Sequence, residues 1–297
     1  LDVFYITLFT TSVIFVWGVG FIFDGPSLLG NIRDVAAVDP SRIWVSVLCG
    51  MLYVIGMRIS LYVLSTIGLS LSQPIQSSIS ILAGTTVSAL VGGMPEGLTP
   101  TRLITATILL LGAVLLSMLA GNMKTRSEKA ISESTIKFDN RALLKSLGLI
   151  TFSSAFTPAY TFGLSYGLQS VTQENGLAVL PYMALLASGA FIGAVFAAGI
   201  PLTVKKQWEI VLRAPFSIHK FGIISGLAHY GGNIIHTFAT AFLSSAVSWP
   251  LGVTSGLWTQ IWGLVYGEFR GASRKIYLTL FAGILLYLAG AYMIAIR

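Results

Sequence analysis

His229, Asn233, His236 and Thr240 stand at i, i+4, i+7 and i+11 in a stretch otherwise made mainly of Ala, Ile, Phe and Gly. On a helix that spacing gathers all four onto one polar stripe, because residues three, four and seven apart share a face. Imidazoles can hold or pass a proton near neutral pH, and an amide offers a donor and an acceptor together, so the stripe suits proton relay or contact with a polar solute. Hydrogen bonding to a neighbouring helix would use the same groups. Metal binding fits poorly: no Cys, Asp or Glu accompanies the pair within the stretch, and seven helical residues put the two histidines about 10 Å apart. No metal and no cofactor is expected.

Other polar groups repeat the theme. Gln73, Ser77, Ser80 and Gly84 share a face with Gln76 beside them, and Ser248, Ser255 and Thr259 do the same, flanked by Trp249, Trp258 and Trp262. Small hydroxylated residues at such spacing suit close helix packing, whereas amides and indoles also offer hydrogen bonds and a flat stacking face to a ring. Ser153, Thr157 and Tyr160 surround Pro158. Arg58 lies inside an apolar run, where insertion costs on the order of 3 kcal/mol unless it is paired or wetted. It reads either as a fork for a polar solute or as a side chain snorkelling to the interface roughly 12 Å away. Glu268, followed by Arg270, Arg274 and Lys275, reads as an ion pair at a membrane rim.

The elements that must carry these residues follow from composition. Of 297 residues, 55% are hydrophobic and 10% charged, against about 25% charge in ordinary soluble domains. Nine apolar blocks, 3–23, 43–66, 69–93, 102–121, 144–164, 177–203, 219–243, 245–267 and 276–296, are each long enough to cross roughly 30 Å of hydrocarbon as a helix. They lack the alternation of a membrane barrel. Threading them places thirteen Lys and Arg on one side and four on the other, a positive-inside bias that puts the C-terminus outside the cytoplasm of an inner or plasma membrane. The net charge of +7 is thus accounted for without a nucleic-acid partner. No nucleophile, base or metal set lies within helical reach, so an enzyme is not expected. Cys49, the one cysteine, falls within a span and reads as packing. Leu1 almost abuts the first span, which suggests a chain whose beginning is missing.

An internal repeat organises the blocks. At an offset of 176, Gly50 meets Gly226, Gly56 meets Gly232, Ser72 meets Ser248 and Pro74 meets Pro250, so "SLSQPI" (70–75) pairs with "AVSWPL" (246–251). The second copy, 144–297, holds five blocks and the first, 1–121, holds four, with 122–143 reading as a cytoplasmic linker. An odd number of helices per copy makes the copies inverted. The expectation is an all-α polytopic membrane protein, an inverted-repeat transporter bundle with nine of ten helices present. Pro74 and Pro250 each remove a backbone hydrogen bond and bend their helix, which reads either as a pair of hinges beside a binding site or as packing kinks with no ligand role.

Several stretches resemble the drug/metabolite transporter superfamily, in the branch of ureide permeases and bacterial glucose and rhamnose uptake proteins. "GLSLSQPIQSSISILAGTT" (68–86), "FSSAFTPAY" (152–160), "GEFRGASRKIY" (267–277) and "LDVFYIT" (1–7) are similar to ureide-permease segments. "LPYMALLASGAFI" (180–192) is more similar to the rhamnose symporter, and "YGGN" (230–233) to the glucose uptake proteins. The 122–143 linker lacks the phosphate-loop-like sequence of ureide permeases, and Met57, at the place matching Asn233, is apolar. The resemblance implies a ten-helix transporter importing a small polar organic solute, usually with protons. Arg58, Gln73, Gln76, Ser77, Tyr160, His229, Asn233, His236 and Trp249 are the expected lining residues. The expected partners are a sugar or a ureide or nucleobase, protons and the lipid bilayer, and a homodimer stays open.

Overall fold

The structure is a computed structural model. It describes the chain apart from residues 68, 132–147, 150, 151, 154, 254, 268, 296 and 297, and describes the backbone alone at 64–67, 69–75, 125, 126, 128–131, 157, 253, 255–257, 259 and 260. The described residues are mostly helical, with no strand and two isolated bridges, Leu168 with Leu177 and Ser170 with Gln173. In chain order the helices are α1 (Asp2–Phe23), α2 (Ser27–Val38), α3 (Pro40–Ile67), α4 (Leu69–Val91), α5 (Pro100–Ile131), α6 (Thr157–Gly167) and α7 (Val179–Ala194). A π-helical turn (Val195–Gly199) leads into α8 (Ile200–Val204), followed by α9 (Trp208–Leu212), α10 (Phe216–Leu243), α11 (Ser245–Val253), α12 (Ser255–Val265) and α13 (Arg274–Ala295).

Five segments, Asp2–Phe23, Pro40–Val63, Pro100–Lys124, Val179–Val204 and Arg274–Ala295, are long and apolar enough to cross a membrane. Each coincides with a block read from the sequence. The 144–164 block is divided: a turn at Ala155–Phe156 precedes α6, and Pro158 falls in the first turn of α6, where its missing N–H costs nothing. Helix α5 runs on to Ile131, ten residues past the expected end at 121. The segment "NMKTRSEKAI" is polar but rich in helix formers and free of Gly and Pro, so propensity carries the helix where hydropathy stops. The remainder of the linker, 132–143, lies outside the described residues.

Two compact units divide the chain: Leu1–Arg58, Val87–Gly93 and Phe156–Ser245 form the first; Ile59–Thr86, Met94–Ala155 and Ala246–Arg297 form the second. Each draws on both the 1–121 and the 144–297 regions. Helices α3 and α10 are 28 residues each, and both their starts (40, 216) and their ends (67, 243) are 176 apart; α4 and α11 also begin 176 apart.

In the first unit, glycines let helix backbones touch, the device that drives helix association where burial from water cannot. A Cβ on Gly50 of α3 would lie 2.1 Å from the Leu186 carbonyl oxygen of α7, and one on Gly226 of α10 would lie 2.6 Å from the Leu8 carbonyl oxygen of α1. Gly189 and Gly193 of α7 approach Val47 and Met51 of α3 just as closely. Tyr5, Phe9 and Tyr230 pack edge to face between α1 and α10, and Trp17 donates to Ser188 across α1 and α7 at 3.0 Å. Short α2 buries Leu28, and its Asn31 carbonyl accepts the Ala178 N–H at the head of α7. Cys49 is buried against Gly163.

In the second unit α5 lies along α13, with Gly283 and Gly290 set against Ser117, Leu110 and Ala106. Arg102 donates to the Met293 carbonyl at 2.9 Å, placing its charge at the negative end of α13. Ala120, Ile276 and Leu280 form a buried cluster, with Lys124 over the Phe269 ring nearby.

Candidate functional site

The polar stripe of α10 turns away from that helix's apolar surface. Ile224, Leu227, Ile235, Phe238 and Phe242 are exposed, whereas His229, Asn233 and His236 are half-buried on the opposite side and Thr240 is fully buried. A face of that kind is available to other protein groups or a cavity rather than to an apolar solvent.

Within the first unit the stripe meets aromatic rings from α3 and α6. Tyr160 Oη and His236 Nδ1 are 3.4 Å apart, their rings 6.2 Å between centroids. Tyr53 of α3 lies 5.2 Å from Tyr160 and faces His229 with planes inclined by 3° at 6.5 Å. Asn233 Nδ2 is 3.5 Å from His229 Nε2. Thr237, one position from His236, donates to the Asn233 carbonyl and to Met183 Sδ, which fixes the helix against α7. The structure thus brings together Tyr160, His229, Asn233 and His236 of the expected set and adds Tyr53. Tyr53 had a signal in the sequence: it is 176 residues before His229, the offset of the repeat.

Arg58, also of the first unit, pairs with Asp2 at 2.6 Å and lies over the Tyr5 ring at 5.6 Å, while the Tyr5 hydroxyl donates to the Val54 carbonyl. Its Nη1 is buried with no hydrogen-bond partner among the described residues. The acid that neutralises it comes from the first turn of α1, a residue that hydropathy reading passed over because it stands at the edge of a span.

The remaining expected residues belong to the second unit. Gln76 Nε2 donates to Ser60 Oγ at 2.8 Å, and Ser60 donates to Ser153 Oγ at 3.0 Å. Trp249 Nε1 donates to the Ser80 carbonyl at 3.2 Å, and its indole lies on Gly84, where a Cβ would be 2.1 Å from Nε1. Ser77 is half-buried, and Pro250 is buried inside α11. Trp258 and Trp262 are exposed, Trp262 stacking on Tyr266. The side chains of Gln73, Pro74, Ser255 and Thr259, and Glu268 as a whole, lie outside the described residues. Among the described residues no group of three or more His, Cys, Asp or Glu could hold a metal ion.

Compared with known proteins, the chain matches no protein-family model and no curated protein. Fold and site therefore define the class on their own: an all-helical chain with membrane-length helices and an aromatic, imidazole and amide cluster within one unit.

Proposed function

We propose that the chain is a secondary active transporter that takes up a small neutral polar organic solute, a sugar or a ureide or nucleobase, by alternating access between inverted halves. All nine apolar blocks would then span the membrane, as in the drug/metabolite transporters that its motifs resemble. Protons drive uptake, with a histidine of α10 as the group that titrates.

One observation carries the reading: Tyr53 and His229, 176 residues apart, face each other with parallel rings. Two residues at matching places in two copies face each other where a two-fold axis passes between the copies. Gly50 and Gly226, also 176 apart, each bring their helix against a neighbouring backbone, at Leu186 and at Leu8. A transporter of this type binds its solute at the repeat interface, and there the cluster offers flat ring faces with an amide and two imidazoles. Pro74 and Pro250 are the hinges in this reading, while Gln76 and Trp249 are bonded within the second unit.

The test is uptake by proteoliposomes. His236→Ala and Asn233→Ala should abolish accumulation while the protein stays folded; normal uptake by both ends the proposal. An inward proton gradient should drive accumulation, and indifference to the gradient would reduce the mechanism to facilitated diffusion.

A further inference from the structure

The stretch between α8 and α10 carries exposed apolar side chains and unpaired positive charge together. Helix α9 buries none of its five residues. Ile210 is 52% exposed, Leu212 84%, and Phe216, which opens α10, 74%. Lys205, Lys206 and Lys220 are exposed as well, and none of them forms an ion pair among the described residues. The one acid in the stretch, Glu209, is held by Arg213 at 2.7 Å. Helix α1 packs against α9, and its Asp2 is taken by Arg58. Three lysines are thus left without a counter-charge beside three large apolar side chains without cover.

The fold holds this stretch at the end of a membrane-length segment. Val179–Val204 is long and apolar enough to cross a bilayer, and Lys205 follows directly. Lys206, at φ 54°, turns the chain through a conformation that residues with a side chain rarely adopt. Trp208 is thereby folded back onto the segment just left: its Nε1 donates to Thr203 Oγ1 at 2.8 Å, and its ring is 3.5 Å from where a Cβ on Gly199 would lie. The Gln207 N–H donates to the Leu202 carbonyl at 2.8 Å in the same turn. Helix α9 therefore starts against the last turns of that segment instead of leading away from it. An indole, lysines on long stems and exposed aliphatic side chains are the groups that the boundary between headgroups and acyl chains accommodates.

We propose that 204–220 is an interfacial segment that binds anionic phospholipid, with its lysines on headgroup phosphates and Ile210, Leu212 and Phe216 among the upper acyl chains. The sign of the charge selects the lipid, because basic residues beside a membrane-crossing helix are drawn to an anionic surface and gain no such attraction from zwitterionic headgroups. An ammonium acts as a point charge without fixed geometry, so each lysine can take a separate headgroup. A second copy of the chain docked on this surface would bring the same charges together. The inference rests on the long helices crossing a membrane and does not need transport.

The test is electron paramagnetic resonance of spin-labelled phosphatidylglycerol and phosphatidylcholine around the protein in phosphatidylcholine vesicles. The motionally restricted fraction should favour phosphatidylglycerol at least about twofold, and less so as salt is raised. Lys205→Gln, Lys206→Gln and Lys220→Gln combined should lose most of that preference. Arg270→Gln, Arg274→Gln and Lys275→Gln combined, at another basic stretch, should keep it. No preference in the native protein, or the same preference in all three proteins, would overturn the lipid surface. A bimane dye on Leu212→Cys, with Cys49 buried and unlabelled, should emit in the blue and be quenched by lipids carrying a nitroxide high on the acyl chain. A water-like spectrum quenched by iodide would overturn the proposal, and so would blue emission lost on diluting the protein in the bilayer, which would assign the surface to a second copy. Lipid preference without uptake in liposomes would leave this surface standing and the transport reading overturned.

Discussion

The two polar clusters of this chain are built from similar residues and held very differently. In the second unit, Gln76, Ser60 and Ser153 form a chain of bonds at 2.8 and 3.0 Å, and the Trp249 indole is pressed onto Gly84. In the first unit, the Tyr160–His236 and Asn233–His229 approaches are 3.4 and 3.5 Å, at the outer limit for hydrogen bonds, and the Tyr53 and His229 rings are 6.5 Å apart. A cluster whose polar groups are closely bonded to one another gains rigidity. In the proposed transporter, the longer approaches of the first cluster belong to the groups that would meet a solute or a proton. The contrast lies in the spacing between the groups rather than in residue type.

Substitutions can break that contrast. The largest effect on function should come from Tyr53→Leu, which keeps bulk but removes the ring facing His229: uptake in proteoliposomes should fall at least about tenfold, the loss of roughly 1.4 kcal/mol of solute interaction, with unfolding temperature nearly unchanged. Gln76→Leu should do the reverse, lowering stability by about 1–3 kcal/mol because the Ser60 hydroxyl loses its donor; a variant of native stability would show that the second cluster is as loose as the first. Gly84→Ala drives a methyl into the Trp249 indole and should cost about 1–3 kcal/mol, read in thermal unfolding and relieved in part by Trp249→Phe. For the ion pair, a double-mutant cycle over Arg58→Met and Asp2→Asn should give a coupling of about 0.5–3 kcal/mol.

The smallest effect concerns Asp39, on the connection before α3. The Ser41 hydroxyl beside it, with Arg42 adding to the effect, holds its carboxyl below the usual carboxylate range. A lowered pKa contributes stability above the ordinary carboxylate range, which is lost as pH falls through the folded-state value. Asp39→Asn should therefore be slightly less stable than the native chain at neutral pH, with the gap closing in strong acid. A gap that widens in acid would reverse the sign.

Hydropathy was enough to place the long helices, because apolar length is the quantity that spanning demands, and the stripe on α10 was legible because its spacing is helical. Three features escaped for physical reasons. Helices α2 and α9 are short and mixed in polarity, so no window of spanning length contains them. The extension of α5 is held by propensity in a stretch too polar to read as part of a span. Tyr53 and Asp2 belong to the clusters through contacts between helices far apart in sequence, which no single-helix pattern contains; the repeat offset could have found Tyr53, whereas Asp2 has no such counterpart.

The burial of Cys49 at the α3–α6 contact makes this chain a natural single-thiol background. A maleimide dye should ignore the folded native protein and react once denaturant opens that contact, giving a readout of unfolding from the wild-type sequence. Cysteines introduced at outlying positions such as Trp262 or Leu212 would then report their own accessibility without prior removal of a native thiol.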